Sequence, residues 1–153
     1  GIDVPVRLDE RLREREFGVL DRLTKAGIEA RHPDQAAARA FLGKMYHRPP
    51  GGESWADVGA RVRTVLTDLR LDHPDEDVVI VTHQAVITLF RYVLEELDEA
   101  QLMDLDRTED IANTAVTEYR AEGATLELVR ANDHDHLPEE LTTKRADRPV
   151  APR

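Results

Sequence analysis

The sequence predicts an α/β domain on the strength of three stretches. The run VVIVT (78–82) is short and β-branched, the mark of a strand buried on both faces of a sheet. Ala85 to Leu97 follows almost at once, apolar nearly all the way round at helical length, and reads as a buried helix. Further on, TAVTEYR (114–120) and TLELVRA (125–131) are β-rich runs joined by Ala121-Glu122-Gly123-Ala124, the pattern of an antiparallel hairpin. A strand such as VVIVT needs a neighbour on each edge, normally a parallel one reached through a crossover helix. The chain offers one weak candidate before it and a hairpin after it, so the sheet is predicted to be a strand or two short.

The remaining elements follow in order. VPVRLDERLREREF (4–17) begins with a short β-like alternation, turns highly charged, and is punctuated by Gly18. Asp34, just after Pro33, is a plausible N-cap, and DQAAARAFLGKMYH reads as a helix. RPPGGES (48–54) holds two prolines and two glycines and must be a loop. Ser54 and Asp57 have capping-box spacing, and Trp55, Val58, Val62, Val65, Leu66 and Leu69 make one apolar stripe. Trp55 is expected in the core. LDHPDED (71–77) is a polar turn, and Asp98 caps a short helix through about Leu105. From Pro138 onward the chain is charged and nearly without apolar residues, which predicts a domain over 1–137 and an unfolded tail over 138–153.

Bulk composition narrows the function classes. At 153 residues the chain can build one real core but not two comfortable ones. It has no cysteine, which removes disulfides, thiol catalysis and thiolate metal sites and fits the cytoplasm. No apolar run is long enough to span a bilayer, and no signal-peptide pattern is present. A net charge of −10 repels nucleic acid and anionic membranes, leaving a small molecule as the expected partner. An anionic substrate would need a local cluster of arginines to overcome that field. The chain opens on Gly1 and not methionine, as a processed chain, a tag remnant or a fragment would.

His83 stands where the predicted buried strand becomes a helix. Free backbone N–H groups and the positive end of the helix dipole favour an anion there. In open α/β sheets ligands also bind beyond the carboxyl ends of the strands. The position suits a phosphate or a carboxylate. The competing explanation is a histidine bonded to a nearby carbonyl. His134 and His136 have a spacing that can hold a metal on a strand but lack a third ligand, so no metal site is expected. His47 and His73 fall in loops and carry no signal.

LREREFG (12–18), RPPGGES (48–54), VVIVTHQAV (78–86) and NTAVTEYR (113–120), in this order and spacing, resemble the histidine phosphatase superfamily, the phosphoglycerate-mutase-like phosphatases. The resemblance spans about residues 8–137. It implies a three-layer α/β/α mixed sheet of the phosphoglycerate-mutase-like type, incomplete at its N-terminal first strands. It also implies phosphoryl transfer through a phosphohistidine, with no metal or cofactor. Glu14, four residues before Gly18, takes the place of the family's catalytic glutamate, and His83 that of its second active-site histidine. Arg48, Gln84 and Asn113 are further candidates for lining the phosphate and substrate pocket.

Three departures accompany the resemblance. The family's nucleophile lies in an R-H-G motif ending its first strand, and this chain holds no such segment. Its one Arg-His pair, Arg31-His32, follows no strand and runs into proline. Gln84 replaces the usual glycine after the second histidine, and Arg22 stands where many members carry glycine. The expected function is therefore a phosphomonoester hydrolase whose nucleophile segment is missing from this chain. The alternatives are a phosphoglycerate-mutase-type phosphotransferase and a catalytically dead binding or scaffold module of the same fold.

Overall fold

In the computed structural model the described residues are 3–123 and 125–138; of the expected tail, 139–153 lie outside them. Helix α3 (Trp55–Asp72) is the spine. Its start is fixed by a full capping box: the Asp57 N–H donates to Ser54 Oγ at 3.2 Å while Asp57 Oδ2 accepts from the Ser54 N–H at 2.8 Å. The predicted stripe then buries Trp55, Val58, Val62, Val65 and Leu66. Helix α4 (Gln84–Leu94) lays Val86, Leu89 and Phe90 against that stripe, and α5 (Glu99–Thr108) adds Leu102. Burying each such aliphatic side chain stabilises the fold by about 1.5–3 kcal/mol. Asp98 caps α5 as expected, paired reciprocally with Gln101, and the helix runs one turn past Leu105.

Two short helices precede this core. Helix α1 (Lys25–Arg31), which the apolar pattern did not suggest, starts at Thr24, whose hydroxyl accepts from the Gly27 N–H at 3.1 Å. Helix α2 (Pro33–Tyr46) has Pro33 at its first position, where the missing N–H is no loss and the fixed φ suits a helix. The expected cap Asp34 therefore lies inside the first turn, and His32 is the capping residue. The helix breaks at Gly43, whose φ of 74° and ψ of 171° no helix contains.

The C-terminal hairpin forms as predicted and runs longer, from β1 (Val116–Glu122) to β2 (Thr125–Asp133), antiparallel with irregular register near Glu118. A half-buried ionic cluster ties it to the helices. Arg91 donates to Glu95 and to Glu109, both at 2.7 Å, and the Tyr119 hydroxyl donates to Glu95 at 2.7 Å. Burial and the Glu95 carboxylate together push the Tyr119 phenol well above its ordinary range.

VVIVT does not behave as a strand buried on both faces. Residues 77–83 belong to no strand: among the described residues the sole sheet is the β1–β2 pair, and no ladder flanks them. Ile80 packs on the core, while Val79 and Val81 are 89% and 90% exposed. A β-branched run specifies extended backbone, but burial needs neighbours on the edges and a covering layer. The weak alternation at 4–8 likewise forms no strand, with Val6 and Leu8 turned to solvent.

Acid stability follows from the carboxylates. The Arg11 guanidinium holds Asp9 down at about 2. For Glu53, Asp57 and Glu95 burial pushes upward, but their hydrogen bonds and nearby arginines outweigh it and the net shift is down. Carboxyls depressed in the native state contribute stability that is present above their free-chain values, 3.8 and 4.5, and lost as acid protonates the folded protein. The urea midpoint is therefore expected to be flat from pH 7 to about 5 and to fall towards pH 3. A midpoint at pH 3 equal to that at pH 7 would contradict this.

Candidate functional site

Two motifs distant in the sequence are one structure. The segment 15–19 and the loop 50–53 are zipped together: Val19 N–H donates to Pro50 O at 3.0 Å, Glu53 N–H to Glu16 O at 2.9 Å, and Arg15 Nε to Glu53 O at 2.7 Å. Phe17 and Gly52 form an antiparallel bridge. The approach is so close that glycine is required on both sides. A Cβ on Gly18, whose φ is +54°, would meet Pro50 O at 2.2 Å, and one on Gly52 would meet Glu16 O at 2.8 Å. Glu14 stands immediately before this zipper, half-buried, its carboxylate accepting the Arg15 N–H at 2.8 Å.

A second link joins this unit to the 78–83 segment. The Thr82 hydroxyl donates to the carbonyl of Leu12 at 2.6 Å, across 70 residues of sequence. It holds the residues leading to Glu14 against those leading to His83. His83 is exposed and caps α4 with its backbone, its carbonyl accepting from the Ile87 N–H at 2.9 Å and its ring making no cap bond. Gln84 is the first residue of the helix and half-buried. The early amides of α4, Gln84 among them, are thus oriented by the helix start beside the imidazole.

The other expected pocket residues are placed differently. Arg48 is exposed and bound through two nitrogens to Asp57, the carboxylate that also completes the α3 capping box. Its guanidinium is engaged in fixing the loop. Asn113 is exposed in the segment between α5 and β1, where Ala112 N–H donates to Asn132 Oδ1 at 2.9 Å. His32 of the Arg-His pair is the α2 cap and follows α1 directly, in no strand context. Arg22 adopts a φ of +58°, left-handed backbone in which glycine rests without strain. Among the described residues no group of three or more His, Asp and Glu could hold a metal ion. No helix there is long and apolar enough to cross a membrane.

Sequence reading missed three cations and a histidine near the zipper. Arg15 is 5% exposed, with its guanidinium 5.0 Å from the Phe17 ring centre. Lys44 is stacked 4.1 Å from the Trp55 ring centre and ion-paired with Asp106. Burial lowers both below their usual values. His47, which the sequence places in a loop, is 2% exposed, its Nε2 lying 3.2 Å from Gln35 Oε1. Arg39 of α2 completes the group. No periodicity marks them, because the break at Gly43 brings them together; that glycine inside an apolar helical run was the available signal.

Comparison with known proteins agrees with this geometry. Over 133 residues the chain is 33% identical to glucosyl-3-phosphoglycerate phosphatase of Mycobacterium tuberculosis, covering 82% of this chain and 59% of that protein. It is 35% identical over 105 residues to 2,3-bisphosphoglycerate-dependent phosphoglycerate mutase of Methylobacterium radiotolerans, covering 67% of this chain and 49% of the mutase. Bacillus stearothermophilus YhfR superposes with a TM-score of 0.70 at 25% identity, covering 84% of this chain and 61% of that one. Mycobacterial glucosyl-3-phosphoglycerate phosphatase in complex with inorganic phosphate superposes with a TM-score of 0.69 at 29% identity, covering 88% and 68%. The chain thus spans little more than half the length of the first of these relatives. The profile of the histidine phosphatase superfamily (branch 1) matches residues 1–134, and with the zippered motifs and the shared fold it follows that the chain belongs to that superfamily.

Proposed function

We propose that the chain is the acid/base and phosphate-stabilising part of a cytoplasmic phosphomonoesterase that works through a phosphohistidine. The observation that carries this reading is the Thr82–Leu12 hydrogen bond, which joins the segment bearing Glu14 to the one bearing His83. In the first step Glu14, protonated, gives its proton to the leaving alcohol oxygen as the P–O bond breaks. In the second the carboxylate takes a proton from the water that attacks phosphorus as the phosphorus–nitrogen bond to the histidine breaks. His83 and the first amides of α4 stabilise charge on the equatorial oxygens. Gln84 contributes its backbone N–H. Arg48, held by Asp57, supports the loop.

The nucleophilic histidine comes, in this reading, from a strand outside these 153 residues that seats beside the 78–82 segment. The exposure of Val79 and Val81 supports it, since such a strand and its covering helices would bury them. The identity to a phosphoglycerate mutase favours one second reading, transfer to another hydroxyl in place of water, which would show as a requirement for a phosphorylated primer. The full-length gene product is expected to hydrolyse p-nitrophenyl phosphate without added metal and to yield an acid-labile phosphoenzyme on rapid quenching. The 153-residue chain alone is expected to do neither. Turnover by this chain that is abolished by His32→Ala would overturn the assignment of the nucleophile.

A further inference from the structure

Residues 13–16, which bear Glu14, form no helix or strand ladder of their own. Other contacts must fix them, because a general acid works only within hydrogen-bond reach of the atom that takes its proton. Glu53 does so with its side chain as well as its main chain. Its Oε2 accepts the Glu16 N–H at 3.0 Å, and its Oε1 lies 3.4 Å from an Arg13 guanidinium nitrogen. One carboxylate thus grips the chain on both sides of Glu14.

Arg61 anchors that carboxylate to α3. Its Nε donates to Glu53 Oε1 at 3.0 Å and its Nη2 to Oε2 at 3.2 Å, while its Nη1 donates to the carbonyl of Arg11. A guanidinium reaches all three oxygens because its donors form a rigid planar fork, which a lysine lacks. The two side chains of the pair are largely buried, Arg61 at 12% and Glu53 at 15% exposure. Arg61 directly precedes Val62, which is fully buried in the core, so its backbone is as fixed as the helix itself. The Glu14 carboxylate stands outside this network. Its described bond is the one it accepts from the Arg15 N–H.

We propose that Glu53 and Arg61 are positioning residues for phosphoryl transfer: their ion pair carries the rigidity of α3 to the segment that presents Glu14. The inference rests on the phosphomonoesterase reading above, in which Glu14 is the acid and the base. Neither side chain touches the reacting atoms. Weakening the pair lets Glu14 drift, and a displacement of about an ångström can cost about a hundredfold in rate. The loss falls on the steps that move a proton through Glu14 and spares the binding of the phosphoryl group at His83.

The test uses the full-length gene product carrying Arg61→Lys or Glu53→Gln, each alone and combined with Glu14→Gln. Lysine keeps the charge but not the fork, and glutamine keeps the volume and one acceptor but not the charge, so both changes are mild. Circular dichroism at the assay temperature identifies the folded variants, and either substitution decides the question. Each is expected to lower kcat for glycerol 3-phosphate by about tenfold or more without raising KM. With p-nitrophenyl phosphate, whose leaving group needs no proton, the first equivalent of p-nitrophenol should appear at the wild-type rate while later turnovers slow. Added to Glu14→Gln, the same changes should bring no further loss, because residues that act through one group are not additive. A loss that multiplies with that of Glu14→Gln, a first turnover slowed as much as the later ones, or an unchanged kcat overturns the positioning role while the phosphatase reading stands. An unchanged rate in Glu14→Gln itself overturns the acid assignment and the positioning role together.

Discussion

Glu14→Gln in the full-length gene product is expected to slow hydrolysis of alkyl phosphates by about a hundredfold or more, the usual contribution of a general acid. The substitution isolates chemistry from folding. The described hydrogen bond of the Glu14 side chain is one it accepts from the Arg15 N–H, and a glutamine oxygen can accept the same bond. What is lost is the proton. The defect should therefore depend on the leaving group. An alkoxide needs protonation as it departs, whereas p-nitrophenolate leaves readily without it. With p-nitrophenyl phosphate the first step should stay fast while the second, which needs Glu14 as base, becomes slow. Phosphoenzyme then accumulates, and a stoichiometric burst of p-nitrophenol precedes slow turnover. Equal rates in wild type and variant on an alkyl phosphate would remove Glu14 from the mechanism.

The second large effect is expected at a residue with no chemistry of its own. Gly18→Ala puts a methyl group 2.2 Å from Pro50 O and 2.7 Å from the Gly52 nitrogen, on backbone with φ of +54°. Both obstacles are main chain and cannot rotate away, so the two strands of the zipper must part. The strained backbone and broken contacts together should cost about 2 kcal/mol or more, readable as a lower urea midpoint. Activity should fall further than stability alone explains, because displacing a catalytic group by an ångström can cost about a hundredfold. A variant with wild-type stability would mean that 15–19 and 50–53 are not locked as described.

The elements that were legible in the sequence are those fixed by local rules. Ser54 with Asp57 and Asp98 with Gln101 announce helix starts through side-chain chemistry within one turn, and both are found as capping boxes. The alternation at 114–131 specified the hairpin, and the order of four motifs specified the family. What was not legible depends on contacts between distant segments. The β-branched run at 78–82 fixes extended backbone but not the neighbours that would bury it, and Val79 is exposed in consequence. Arg48 looked available for phosphate until Asp57 was seen to hold it. His47 carried no pattern, yet the turn at Gly43 brings it to Gln35.

The zipper between 15–19 and 50–53 has an evolutionary consequence. It closes a loop that holds both α1 and α2, and the entropy of closing such a loop changes only slowly with its length. The intervening thirty-odd residues can therefore be lengthened, shortened or rewritten while the glutamate at the clasp stays where it is. The clasp, anchored by two glycines, and the segment it closes can drift at different speeds in such a protein.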